Sequence, residues 1–110
     1  MALMFQSIFV SVAGNSGLDG ERQNNVADFG SPQKIRVRTA DCAIKSFHIG
    51  FQEDDHNFFF QRIAVHNVRV EGSQVLFDVF AKIRDDSDDL NNYVAEIEVL
   101  VIADVEHGHF

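Results

Sequence analysis

The sequence predicts an all-β fold, a six-stranded antiparallel β-sandwich or small barrel that closes into a homo-oligomer. Three observations carry this. Runs of strand length alternate apolar with polar residues and are separated by turn formers. No stretch of useful length has the 3.6-residue period of a helix, and no internal repeat or heptad occurs. Finally, the strands hold more apolar surface than one small pair of sheets can bury.

The last of these strands organises the rest. In Tyr93–Val105, the residues Tyr93, Ala95, Ile97, Val99, Val101, Ala103 and Val105 fall on alternate positions and so share one face. The opposite face begins with Val94, Glu96 and Glu98 and then turns apolar at Leu100 and Ile102. A strand with one wet face keeps alternating to its end. This one stops midway, so its second half needs cover on both sides.

Taken in order, Met4–Ala13 is rich in Phe, Val and Ile and reads as the first strand. Gly14–Gly30 holds four Gly among many Asn, Asp and Ser, a loop composition, and its length marks a functional or packed loop. Lys34–Ala40 sets Lys34, Arg36 and Arg38 against Ile35 and Val37, the pattern of an edge strand guarded by positive charge. Ala43–Phe51 turns Phe47, Ile49 and Phe51 inward, with Ser46 and His48 outward. Gln52–Asn57 is a polar turn. Phe58–Glu71 changes phase between Val65 and Val68, which predicts a β-bulge near His66–Asn67. Glu71-Gly72-Ser73 turns the chain into Val75–Ile83, and the acidic loop Arg84–Asn92 leads to the final strand.

Composition narrows the function. At 110 residues the chain, 1–110, is one domain with a single core. A net charge of −8 disfavours nucleic acid and anionic bilayers as partners. The single cysteine, Cys42, makes no internal disulfide, so no oxidising compartment is required. No run approaches the length of a spanning helix, and Met1–Val12 lacks the form of a signal peptide. The expectation is a soluble protein, cytoplasmic or exported without a cleaved leader.

Sites for chemistry are few. Asp85, Asp86, Ser87, Asp88 and Asp89 offer the carboxylate density that Ca²⁺ prefers, but the order of an EF-hand loop is absent. A solvated turn is the simpler reading, and no cofactor or metal is expected. The five histidines match no zinc spacing. No nucleophile elbow or phosphate-loop motif occurs, and Cys42 has no visible activator, so the chain is not expected to be an enzyme. The surplus apolar surface says more. Phe58, Phe60, Leu100 and Ile102 are the candidate oligomer interface, because such a patch left in water is one that soluble monomers avoid. The alternative is that loop Gly14–Gly30 folds over it within one chain.

Four stretches, RIAVHNVRVEG from Arg62, VLFDVFAKI, RDDSDDLNN and EVLVIADV, together resemble the H-type lectin domain over roughly the last 55 residues. That family consists of six-stranded sandwiches that form trimers and bind N-acetylgalactosamine-like sugars. The resemblance implies that Arg62, the strand-opening Arg, donates hydrogen bonds to a sugar across a subunit boundary. It implies a second contribution from the loop before the last strand, here through Asp85 and Asp86. The family's Trp-His pair has no counterpart, and Tyr93 lies close enough in sequence to replace its ring. Asp19 and Asp28 are both candidates for the acidic ligand from the first long loop. The function expected is therefore a non-enzymatic carbohydrate-binding module, multivalent through oligomerisation, with glycans and further copies of itself as partners. The alternative is a self-assembling structural protein of a fibre, tail or capsid.

Overall fold

A computed structural model describes residues 2–15, 20–51, 58–85 and 92–110, with residues 51, 58–60, 84 and 85 described by their backbone alone. It contains β1 (Ala2–Asn15), β2 (Glu21–Asp28), β3 (Ile35–Phe51), β4 (Phe58–Glu71), β5 (Gln74–Asp85) and β6 (Asn92–His107). Two three-stranded antiparallel sheets result. Sheet A has the order β1-β6-β3 and sheet B the order β2-β5-β4.

Each sheet is built on a central strand with an unbroken apolar row. On β6 the alternate residues from Tyr93 to Val105 are at most 2% exposed. On β5 the row Val75, Phe77, Val79, Ala81 and Ile83 is fully buried. The two rows belong to one core, joined by Val10 and Val12 of β1, Ala27 of β2 and Val37 of β3. Burying each large side chain is worth roughly 1.5–3 kcal/mol, so these two rows dominate the favourable side of folding. Tyr93 ties them together, its phenol donating across the core to the Ala81 carbonyl at 3.2 Å.

The expected β-bulge is present. The register between β4 and β5 shifts between His66 and Arg69, and Asn67 takes a φ of 56°. Asn67 Nδ2 donates to Asp78 Oδ2 at 3.1 Å, and Arg69 stands 3.8 Å from Asp78 Oδ1. The bulge thus gives Asp78, only 4% exposed, one hydrogen bond at Oδ2 and a nearby cation, while its buried Oδ1 accepts no hydrogen bond. Gly72, at a φ of 60°, turns β4 into β5. The Gly72 and Ser73 carbonyls accept from Val37 N and Phe29 N, so the hairpin end of sheet B clips onto the chain entering sheet A.

Two expectations are corrected. Gly14–Gly30 is not one loop, because β2 lies within it and pairs with β5 from Glu21 to Asp28. As an edge strand it is held by main-chain bonds. Only Ala27 is fully buried, while Glu21, Gln23 and Asn25 are half-buried on the same face. Hydropathy therefore carries no trace of it. Lys34–Ala40 and Ala43–Phe51 are a single strand, β3, whose breaks in alternation are register shifts at Val37/Thr39 and Ile44/Ser46 rather than a turn. β3 does form an edge of sheet A, and Arg36 pairs with Glu106 at 3.2 Å.

Strands of 14 to 17 residues make a slab rather than a ball. The Cα extents are 56 × 19 × 17 Å, and the radius of gyration is 16.8 Å against about 13 Å for a compact domain of this length.

Gly14 shows how closely the end of the core is packed, since a Cβ there would collide with the Tyr93 ring and hydroxyl. Gly14→Ala is expected to cost about 1–3 kcal/mol by displacing that ring. Tyr93→Phe, which keeps the ring and loses the bond to Ala81, is expected to cost about 0.5–1.5 kcal/mol. Urea unfolding of the two variants checks both values.

Candidate functional site

The sequence places a site at Arg62, Asp85, Asp86 and Tyr93, and the fold does not bring Arg62 and Tyr93 together. Tyr93 is fully buried in the core, so its ring is not offered to a ligand. Its alternation on β6 had marked it as inward-facing, and the need to satisfy its hydroxyl at Ala81 keeps it there. Arg62 is exposed on the far side of sheet B, opposite Lys82, with its guanidinium 5.9 Å from the Phe80 ring centre. Sheet B lies between them. Asp85 closes β5, where its backbone pairs with Phe58. Asp86 and the rest of the Asp85–Asp89 candidate for Ca²⁺ lie outside the described residues. Among the described residues no group of three His, Cys, Asp or Glu is placed to hold a metal ion.

The proposed interface residues also divide. Leu100 and Ile102 stand on the outer face of sheet A, while the backbone of Phe58 and Phe60 belongs to sheet B. Leu100 and Ile102 instead meet β1. Phe5 pairs with Ile102, and Leu3 with Asp104. Leu3 and Phe5 are 57% and 60% exposed.

A groove of about 350 Å³ lies further along sheet A. It is lined by Phe9 and Ser11 of β1, Glu96 and Glu98 of β6, and Ser46 and His48 of β3, with Val10, Phe47 and Ile97 completing the wall. The register assembles these side chains: Phe9 stands opposite Glu98, Ser11 opposite Glu96, Ser46 opposite Glu98 and His48 opposite Glu96. Even spacing thus converts three separate sequence patterns into one surface.

The two carboxylates are held differently. Glu98 is engaged by Ser46 Oγ at 3.3 Å and by Lys45 Nζ at 3.5 Å. Glu96 is exposed and has no hydrogen-bond or ion-pair partner among the described residues. Phe9 is 79% exposed, the most open of the large apolar side chains described. The arrangement offers a flat apolar ring, an unengaged acceptor, a positioned acceptor and two hydroxyls within one concave surface.

No family model, curated protein or solved structure matches this chain. The site must be read from its own chemistry. Sequence reasoning missed the groove because the second half of Met4–Ala13 mixes apolar residues on both faces. The signal was there, in that Phe9 falls on the odd positions with Leu3 and Phe5, away from the inward row of Ile8, Val10 and Val12. Sheet B hides a second feature in the same way. Arg22 and Arg62 come together about Phe80, with Arg22 directly opposite it on β2.

Among the described residues no helix is long and apolar enough to cross a membrane. Cys42, opposite Val101 on β3, is half-buried, and burial with the neighbouring Asp41 carboxylate pushes its thiol up from 9.0 to about 11. Burial, reinforced by Glu21, raises the Tyr93 phenol as well. Both groups then ionise more readily in the unfolded chain. Stability is intact below about pH 9 and falls as pH rises from 9 towards 11. Cys42→Ala is expected to flatten part of that fall, as read from urea midpoints at successive pH values. At pH 8 the native thiol is expected to alkylate about a hundredfold more slowly than the same cysteine in urea.

Proposed function

We propose that the protein is a non-enzymatic carbohydrate-binding module that uses the outer groove of sheet A and gains multivalency through homo-oligomerisation. The observation that carries this reading is the exposed Phe9 ring beside the unpartnered Glu96 carboxylate. A pyranose has an apolar face that stacks on an aromatic ring and a rim of hydroxyls that needs acceptors. Phe9 supplies the first. Glu96 and Glu98 supply the second through charge-assisted hydrogen bonds, which are the stronger kind. Ser11, Ser46 and His48 add groups that both donate and accept. The volume of about 350 Å³ lies at the lower end for ligand pockets and suits a mono- or disaccharide unit.

This reading keeps the carbohydrate function that the resemblance to H-type lectins implies and moves the site. Arg62 stays outside it, on the opposite face of the slab. A shallow single site binds weakly, and several sites on one assembly raise avidity by orders of magnitude. The second reading, a self-assembling structural protein, draws on the exposed Leu3 and Phe5 and the 56 Å length. Electron microscopy separates the two, since filaments or tubes favour the structural protein and small closed particles favour the module.

Phe9→Ala and Glu96→Gln are each expected to weaken saccharide binding at least tenfold without changing the unfolding midpoint. A glycan array followed by titration calorimetry measures this. If no saccharide binds the folded wild type, or if both variants bind as it does, the carbohydrate reading is wrong.

A further inference from the structure

Four strands lie at the edges of the two sheets, and an edge strand presents a row of unpaired N–H and C=O groups. Three of the four carry features that discourage a further strand from joining. β2 is only eight residues long and holds Glu21, Arg22 and Asp28. β3 carries Arg36, Arg38 and Lys45 and breaks register twice. β4 carries Arg62 and Arg69 and also breaks register twice. β1 has none of these features. Its fourteen residues pair with β6 one for one from Ala2 to Asn15, without a shift, and include no proline and no charged side chain. No backbone bond among the described residues joins β1 to any strand except β6. The three most exposed large apolar side chains described, Leu3, Phe5 and Phe9, all stand on this strand.

We infer that the free edge of β1 pairs with β1 of a second copy of this chain, antiparallel across a two-fold axis. Charge selects the occupant. β1 is the one strand of the six without a charged residue. Two chains of net charge −8 therefore meet with least repulsion along it. A foreign peptide would find no charge on β1 to select it, whereas a second β1 matches the edge in length, twist and neutrality.

Gln6 fixes the axis. It lies between Met4 and Ile8 in the row that packs toward the core, and its Oε1 is buried without a hydrogen-bond partner. With Gln6 opposite Gln6 of the second copy, each amide offers an N–H to the other's orphan oxygen. Odd residues then meet odd and even meet even, so every side chain keeps its face of the sheet. Met4 stands opposite Ile8 of the second copy and Leu3 opposite its Phe9, and no charged side chain enters the join. The two copies share one continuous six-stranded sheet. This pairing supplies the multivalency of the carbohydrate reading, but it rests on the strand edge alone and does not require that the groove bind sugar.

Sedimentation velocity of the full chain at micromolar concentrations tests the inference. The wild type is expected to sediment as a dimer. Gln6→Glu, close to isosteric, sets two carboxylates face to face on the axis and is expected to raise the dissociation constant about tenfold or more. Ser7→Lys, which gives β1 the kind of charge that guards other edges, is expected to act in the same way. It decides the matter if circular dichroism shows Gln6→Glu to be unfolded. Leu3→Ala leaves the main-chain bonds in place and is expected to change the constant less than about fivefold. Val26→Lys, on the outer face of sheet B, is expected to leave it unchanged. In a Cys42→Ser background, Gln6→Cys is expected to form an intermolecular disulfide on oxidation and Ser7→Cys is not, because only Gln6 stands opposite itself. A wild type that stays monomeric overturns the inference, as does a dimer indifferent to Ser7→Lys or one weakened equally by Val26→Lys. Cross-linking through Ser7→Cys in place of Gln6→Cys overturns the register. A dimer that binds no saccharide removes the carbohydrate reading and leaves this one, and a monomer that binds saccharide does the reverse.

Discussion

The packing of one alternating row against another is the constraint on which this molecule rests. The inner row of β6 faces the inner row of β5, and between them they include nearly every fully buried large side chain described. Both strands are central, so each fixes the phase of two neighbours by register. A slip of one residue on either would turn its whole row outward and replace Val99 with Glu98 or Val79 with Asp78 in the core. The hydrogen bond from Tyr93 to Ala81 adds a directional tie to what is otherwise non-directional packing.

The same constraint shapes the surface. A core two rows wide and up to sixteen residues long produces a slab, and a slab has two broad outer faces that the other described strands do not cover. Those faces differ in kind. Sheet A presents carboxylates and apolar side chains, while sheet B gathers Arg22 and Arg62 about Phe80 and keeps Asp78 buried beneath Asn67 and Arg69. A chain with a net charge of −8 therefore still has a locally cationic face. Composition cannot reveal this, because the arginines come from strands that are neighbours only in space.

What the sequence made legible follows from the same physics. The rows of β5 and β6, the turn at Gly72 and the bulge beside Asn67 were all readable, because each is written as a phase of alternation or a break in it. The edge strands were harder. β2 is held by its backbone bonds to β5, so Glu21, Gln23 and Asn25 leave no periodic signature. The two register shifts in β3 imitate a turn, which is why one strand reads as two. Six strands were expected and six are found among the described residues, yet only because one missed strand offsets one divided in two. The Tyr93 assignment failed for a related reason. Proximity in sequence to an acidic loop says nothing about facing, whereas its place in the alternating row already fixed it inward.

The two ends of sheet A share an origin in the outer row of β6. From Glu96 and Glu98, which face Ser11 and Phe9 of β1, that row passes to Leu100 opposite Ser7 and Ile102 opposite Phe5. Antiparallel register fixes which of these side chains share a place on the surface, since each β1 residue is matched to its β6 partner in fixed order. Had β1 been displaced along β6 by four residues, its aromatic and apolar side chains would have met the opposite zones, and neither a groove nor a patch would form. The division of this face into a polar concavity and an apolar end is thus a property of the pairing. It is this pairing, rather than any single residue, that sets Phe9 and Ser11 of β1 beside Glu98 and Glu96 of β6 on one surface.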